Sequence, residues 1–427
     1  MKINWQDCSD RSLQRGISLM RAINKCGYQA YLVGGCVRDL VLWYNTKQGK
    51  GDPQIHDVDL ATNMPIDKLK ATFKTHDNGG EEHGTILVFW EGEPFEVTQF
   101  RVDGNYSDGR HADSVSYTNS FEEDTKRRDF TINAMGIDAD GNVIDYHGGV
   151  DDLKQGIIRT VGNAGERFSE DGLRIMRAMR FAAKFKMQIA EDTLNGINEN
   201  RTKLDNIAME RVHDEFKKTA QCGANAFAQV VELLSSTGCC DIIDPKGLID
   251  WNSAVELTAK HAENILIPEL NCNPVMSFAY LFYTTYDDNF EQAARYFRCT
   301  VDDLKTFKYI YGNYGTYVSL VTGQDVDIVA CINMVNSKDF SKVQEFAFTL
   351  RGVKPNQTVL DYVRVGKIAA PRAKELTAAL QNAGVATGPQ FGVKLRELQS
   401  WFYKQYLDRQ DGPSTDEITQ FIHANLL

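Results

Sequence analysis

Asp57 and Asp59 stand two residues apart in the stretch HDVDLAT, at a place where the flanking residues read as a short strand. On a strand, residues i and i+2 share one face about 6.5 to 7 Å apart. Two carboxylates at that spacing can hold Mg²⁺, a hard cation that takes oxygen ligands. With two ions, one would activate an attacking hydroxyl and the other would clamp a leaving phosphate. The same pair also fits a plain acidic strand end facing water, so its meaning depends on what surrounds it.

Four further clusters could complete such a site. Gly34-Gly35 precedes Cys36-Val37-Arg38-Asp39 where a strand gives way to a helix. Glycines there let backbone N–H groups approach a phosphate at a helix N-terminus, and Arg38 would add a charge-assisted contact. A tight turn with a surface Arg–Asp pair would look the same. Glu96, on the alternating stretch FEVTQFR, could bring a third acid or could simply occupy the polar face of its strand. Arg127, Arg128 and Asp129 sit in KRRDFTIN; paired guanidinium forks beside an acid suit a triphosphate. The fourth cluster is EDGLRIMRAMR from Glu170 to Arg180. It reads as the opening of a helix with Ser169 as its cap and Glu170 and Asp171 in the acid-favouring first turn. Arg174, Arg177, Arg180 and Lys184 then fall within an arc of about 120°, and Asp171 and Arg174 become i,i+3 neighbours. Such a line could read a base edge with one side and bind phosphates with the other, or form a solvated basic face over a core stripe.

The elements that must position these residues divide the chain in two. Residues 12–26 read as an amphipathic helix, Ala30 to Val33 as a strand and 36–44 as a helix. Val58 to Ala61, Ile86 to Trp90 and Phe95 to Val102 read as strands. Asp140-Gly141-Asn142 marks a hairpin turn between Met135–Asp138 and Val143–Tyr146. From about residue 151 to 425 helical periodicity dominates, with sparse prolines between segments. The expected class is therefore α+β: a mixed head of about 145 residues, then an all-helical remainder.

Composition sets outer bounds. The 427 residues allow about three domains. The hydrophobic fraction of 42% and charged fraction of 25% are those of a globular chain and exclude wholesale disorder. No apolar run approaches the roughly 18 residues of a membrane helix, and no secretory leader is visible. The nine cysteines show no metal or disulfide spacing and read as reduced thiols of a cytoplasmic protein. The net charge of −11 argues on its own against a nucleic-acid partner. That average hides a local excess: from Gly165 to Met187 there are six basic residues against three acids.

Taken in order, GGCVRD, DVDLAT, HGTILV, EVTQFR, DGRHADSV, KRRDFTINAM and EDGLRIMRAMRFAAKF resemble the class II tRNA nucleotidyltransferases. These are the CCA-adding branch of the polymerase-β-like superfamily, kin to bacterial poly(A) polymerases. The resemblance is dense from about 28 to 220, including IAMERVHDEFKK at 207–218, and thins to GPQFGVKLRELQSW at 388–401. It implies a polymerase-β-like head (1–146), a helical neck that recognises the base and binds RNA (147–225), a helical body (226–325) and a tail that contacts tRNA (326–427). It implies addition of C, C and A to a tRNA 3′ end from CTP and ATP with Mg²⁺, and no membrane or obligate protein partner. Asp57 and Asp59 would hold the metal, with Glu96 and Asp129 supporting the catalytic centre. Gly34, Gly35, Arg38 and Arg128 would meet the triphosphate. Asp171 and Arg174 would pair with the Watson–Crick edge of the incoming base, with Arg177 and Arg180 supporting that helix and the phosphates.

Three departures from the family pattern stand out. The stretch Trp43 to Gln54 is long and Gly/Lys-rich. Ala112 stands where proline is usual. No HD phosphohydrolase signature is present, since His213-Asp214 has no partner histidine at suitable spacing. A poly(A) polymerase shares nearly all of these motifs; the loop FKTHDNGGEEHGT and the lack of a long basic extension favour CCA addition. Enzymes that add only CC or only A share the same head. A non-catalytic RNA adaptor would be expected to have lost Asp57 or Asp59, and a small-molecule nucleotidyltransferase would lack the long helical remainder.

Overall fold

The computed structural model describes residues 1–47, 55, 57–77, 79–104, 114–285, 289–409 and 411–427. Residues 48–54, His56, Asn78 and most of the DGRHADSV element, including Ala112, lie outside the described residues. The chain forms two compact units, one of residues 1–219 with 232–246 and one of residues 220–231 with 247–427.

The first unit opens with helix α1 (Arg11–Lys25). The Asp10 side chain accepts from the Leu13 N–H and caps it, satisfying a donor that has no intrahelical partner. Leu13, Ile17, Met20 and Ile23 recur at helical spacing and are buried. Each such side chain removed from water contributes roughly 1.5–3 kcal/mol. Strand β1 (Ala30–Val33) follows, then α2 (Gly35–Lys47). Gly34 between them has φ +73°, a left-handed conformation that glycine adopts without steric cost.

The rest of the head is β2 (Asp59–Thr62), α3 (Ile66–Thr72), β3 (Lys74–His76), β4 (Thr85–Trp90), β5 (Glu93–Gln99), β6 (Arg101–Asp103), β7 (Val115–Tyr117), α4 (Phe121–Lys126), β8 (Met135–Ile137) and β9 (Val143–Asp145). Seven strands form one mixed sheet in the order β3-β4-β5-β2-β1-β8-β9. Only the β2–β5 pairing within it is parallel. The expected hairpin is present as β8 and β9. The loop read between Phe73 and Thr85 contains β3, which pairs with β4 as the sheet edge. The stretch expected to run from Phe95 to Val102 breaks at Phe100, after which β6 joins β7 in a separate ribbon.

Helix α5 (Gly149–Gln155) leads through β10 (Ile157–Ile158) into α6 (Ala164–Glu170) and α7 (Leu173–Phe185). After α7, β11 (Gln188–Ile189) pairs in parallel with β10. Two-residue strands of this kind carry no readable period, and the helical remainder was expected to lack them. Helices α8 (Glu191–Asn200) and α9 (Met209–Ala220) follow. The helix Ala224–Ser236 is shared between the two units.

Among the described residues the regular elements of the second unit are helices, with an isolated antiparallel bridge between Ile249 and Thr285. One core cluster gathers Tyr317, Ile332, Val343, Leu376, Leu398 and Phe402 from helices far apart in sequence. Among the described residues no helix is long and apolar enough to cross a membrane.

Candidate active site

The acidic pair lies where β2 begins. Asp57 is exposed just before the strand, Val58 is buried, and Asp59 opens the strand partly buried. The antiparallel register sets Asp59 opposite Val33, next to the Gly34 turn. A Cβ on Gly34 would stand 3.7 Å from the Asp59 Oδ2, so the turn passes close to the carboxylate. On the other side, parallel β5 pairs Val97 with Leu60, which brings Glu96 alongside Asp59. Helix α1 backs the pair: a Cβ on Gly16 would come within 2.6 Å of the Val58 side chain. Only a residue without a side chain allows that approach.

The electrostatics show an excess of negative charge. Burial raises the Asp59 carboxyl, the Glu96 and Asp57 charges raise it further, and only Arg128 opposes them, leaving it at about 6. The Cys36 thiol beside it is pushed up to about 12, chiefly by burial and then by the Asp59 charge. A divalent cation would relieve this excess, and the donor set is all hard oxygen, which fits Mg²⁺. Among the described residues no three acid, histidine or cysteine side chains converge tightly enough to hold an ion alone. That suits a cation held by one or two carboxylates together with substrate phosphates and water.

Beside the carboxylates a pocket of about 470 Å³ opens between the head and helices α7 and α9. Its lining carries seven cations and three acids, an excess of four positive charges that suits a polyphosphate. Gly34, Gly35, Arg38 and Arg128 all line it. Arg38 is 6% exposed. Its guanidinium donates to Asp39 and to the Asn133 Oδ1 at 2.8 Å, and lies over the Phe185 ring. Arg127 and Arg128 both reach the fully buried Asp124. Burial alone would raise the Asp124 carboxyl, but the two guanidiniums outweigh it and hold the group below the usual range.

Asp129 links head to neck. Its Oδ1 accepts from the Asn133 side chain and the Phe130 N–H, while Oδ2 takes two donors from Arg177 at 2.9 and 2.5 Å. Burial would raise this carboxyl; Arg177 and these hydrogen bonds overcome that and hold it at about 2. A continuous chain therefore runs from Arg38 through Asn133 and Asp129 to Arg177.

The neck differs locally from the sequence expectation. Ser169 and Glu170 do not open a helix; they end α6, which Asn163 caps. Helix α7 starts at Leu173, and the Asp171 side chain accepts from the Leu173 N–H. The break falls at Asp171, whose backbone is extended (φ −146°, ψ 106°), and a Cβ on the following Gly172 would lie 2.6 Å from the Lys203 carbonyl oxygen. Asp171 and Arg174 are i,i+3 neighbours but do not pair. Arg174 binds Glu170 at 2.5 Å and the carbonyls of Arg127 and Arg167, and Asp171 binds Arg211 at 2.8 Å. Both side chains line the pocket, as does Arg177. Arg180 does not line it. It is 8% exposed, its Nε donates to the buried Glu215, and it lies over the Phe181 ring. Its contacts tie α7 to α9, the helix-supporting half of what the resemblance implies for it.

Several pocket residues were not singled out from the sequence: Asn133, Phe181, Arg211, Glu215 and Lys218. A signal for three of them was present. Arg211, Glu215 and Lys218 recur at i, i+4 and i+7 in IAMERVHDEFKK, and so share one face of α9.

A mixed sheet carrying an acidic pair, a Gly-rich turn and a cation-rich pocket lined from α7 and α9 can hold a metal-bound nucleoside polyphosphate. Known proteins resemble parts of the chain. Residues 30–159 match the Poly A polymerase head domain. Residues 186–246 match the domain described as the probable RNA and SrmB-binding site of polymerase A. The CCA-adding enzyme of Lactobacillus johnsonii is 44% identical over 202 residues, covering 47% of this chain and 48% of that protein. The CCA-adding enzyme of Geobacillus thermodenitrificans is 43% identical over 226 residues, 53% of each chain. The match thus spans about half the length of these curated relatives. The crystal structure of the Bacillus stearothermophilus CCA-adding enzyme in complex with CTP aligns with a TM-score of 0.74 and 26% identity, covering 97% of this chain and 98% of that one.

Proposed function

We propose that this protein adds C, C and A to the 3′ end of tRNA from CTP and ATP, releasing pyrophosphate, with the protein itself selecting the base. The observation that carries this reading is the placement of Asp171 and Arg174 on one wall of a cationic pocket that also takes in the Gly34–Gly35 turn beside Asp59. The likeness to an enzyme solved with CTP over nearly the whole chain supports it.

In this reading Asp57 and Asp59 hold Mg²⁺, and Glu96 contributes a third negative charge. Bound there, the metal would activate the attacking 3′-hydroxyl and offset charge on the leaving pyrophosphate. Backbone N–H groups at Gly34 and Gly35, with Arg38 and Arg128, bind the triphosphate. Asp129 orients Arg177 toward the phosphates through its paired hydrogen bonds. Arg174 donates to cytosine O2 and N3 or to adenine N1, and Asp171 accepts from the exocyclic amine of either base. Guanine and uracil present a carbonyl where Asp171 requires a donor, and are rejected. The head at 1–146 carries the chemistry, the neck at 147–225 the base choice, and the body at 226–325 and tail at 326–427 the tRNA. Cytoplasmic location follows from the substrate.

The test offers a tRNA ending just before CCA with each nucleoside triphosphate in turn. The wild type is expected to incorporate C alone, and Arg174→Ala to lose discrimination against U and G. Unchanged nucleotide choice in Arg174→Ala removes the base-selection claim. A long A tail from ATP on any RNA assigns the protein to poly(A) synthesis instead.

A further inference from the structure

The second unit carries a cleft whose charge is opposite in sign to that of the pocket in the first. Its larger part is a cavity of about 410 Å³ along the helix Trp251–Glu263. Asp250 caps that helix, and Ser253, Glu256 and Lys260 line the cavity from its first three turns. Tyr283, the last residue of the helix Pro274–Tyr283, lines it too. The Asp250 N–H donates to the Thr284 carbonyl, which ties the two helix ends together. Tyr283 also lines an adjoining cavity of about 260 Å³, with Phe290, Tyr311 and Tyr314.

The aromatic surface is fixed by its own contacts. The Tyr283 and Tyr314 hydroxyls share a hydrogen bond at 2.8 Å, and the Tyr311 hydroxyl donates to the Ala279 carbonyl at 2.6 Å. The Phe290 ring stands edge-on to Tyr311 with centroids 4.8 Å apart. Rings already held in this way lose little freedom when a ligand arrives. The charges are arranged differently. Lys260 turns its Nζ to the Leu350 carbonyl at 3.1 Å. Asp250 accepts from the Ser253 hydroxyl and N–H, and these bonds hold its carboxyl below the usual range. Glu256 is exposed, and among the described residues neither acid pairs with a cation. Six residues of helix rise about 9 Å, so the two acids are spread along the cleft.

We propose that this cleft binds a linear polyamine, with ammonium groups on Asp250 and Glu256 and the chain running onto the aromatic wall at Tyr283. Such a ligand alternates charged nitrogens with short methylene runs. Aromatic faces attract the nitrogens, and burial of the methylenes adds to the attraction. A phosphate would meet two carboxylates and a lysine already engaged by a carbonyl, so the same lining repels a nucleic-acid backbone. The proposal does not depend on the function proposed above.

The test titrates spermidine into the full chain by calorimetry, without tRNA or nucleotide. Salt is kept at about 0.15 M, where long-range attraction to the net negative charge is screened. One saturable site is expected. Glu256→Gln should weaken binding about fivefold and Tyr283→Ala about tenfold. Asp59→Ala should leave affinity unchanged, as should Glu199→Gln, which removes an exposed acid of the first unit. The neutral chain 1,8-octanediol should not bind. Heat that never saturates, or affinity lowered as much by Glu199→Gln as by Glu256→Gln, is counter-ion attraction to an acidic surface and overturns the proposal. Binding lost in Asp59→Ala places the ligand at the metal carboxylates and overturns it equally. If Tyr283→Ala does not fold, Glu256→Gln, at an exposed helix position, is read alone, and unchanged affinity in it overturns the proposal. A wild type that completes CCA ends yet takes up no spermidine also overturns it, while leaving the proposed function standing.

Discussion

Replacing Asp129 by Asn tests the joint between head and neck. A carboxyl held at about 2, against an ordinary value of 3.8, stabilises the folded state by about 2.5 kcal/mol at neutral pH, at ~1.4 kcal/mol per pH unit. Removing the acid also leaves the Arg177 guanidinium without its counter-charge. A fully buried cation stranded in this way costs about 3–5 kcal/mol. Arg177 is 32% exposed at its side chain, and water screens part of that cost, so the two routes converge on about 2–3 kcal/mol. The sign with pH is fixed by the direction of the shift. A carboxyl lower in the folded than in the unfolded state stabilises the protein above about pH 4, and that stabilisation is lost as pH falls toward 2. Urea unfolding of the full chain at several pH values is the assay. The deficit of Asp129→Asn should be constant from pH 5 to 9 and shrink below pH 4. An Asn variant as stable as the wild type at pH 7, or a deficit that grows in acid, would refute the reasoning.

Asp59→Ala should abolish nucleotide incorporation while leaving tRNA affinity, read by filter binding, within about twofold; near-normal incorporation would show the metal assignment to be wrong. With the Asp59 carboxyl near 6, protons compete with the cation, so the Mg²⁺ needed for half-maximal incorporation should rise about tenfold per pH unit below 6, and a flat requirement from pH 5 to 7 would contradict this. Gly16→Ala places a methyl 2.6 Å from Val58. The helix gain of about 1 kcal/mol is outweighed by overpacking of about 1–3 kcal/mol, so thermal melts should show net loss of stability and Mg²⁺ titration a raised requirement; a stabilised variant with an unchanged requirement would show that α1 does not fix the Asp57–Asp59 spacing.

Much of this was legible from residue order, for physical reasons that differ between elements. Helix α1 and strand β1 carry local signals, a cap and a period, that need no tertiary help. The hairpin of β8 and β9 was readable from Asp140-Gly141-Asn142 because the turn requires a left-handed glycine, and Gly141 has φ +85°. Strand β3 was not readable, since three exposed or half-exposed residues at a sheet edge have no distinctive pattern. The start of α7 was misplaced because Ser169 followed by two acids is a good local N-terminus. The backbone instead turns extended at Asp171, and Gly172 after it lies against the Lys203 backbone, a contact that residue order does not reveal. The partners of Asp171 and Arg180 were out of reach for the same reason. Arg211 and Glu215 lie 40 and 35 residues away, whereas helical spacing reveals only neighbours within about one turn. The net charge of −11 concealed a pocket with an excess of four positive charges, because composition averages over a surface that the fold sorts.

The central claim is that this protein builds the tRNA 3′ terminus with its own side chains as template. The most direct measurement supplies the wild type with a tRNA transcript lacking CCA, CTP and ATP together, and Mg²⁺, and sequences the product 3′ ends. The account predicts that most ends carry one CCA and that addition stops there. Ends carrying runs of A, or transcripts returned unextended, would contradict it.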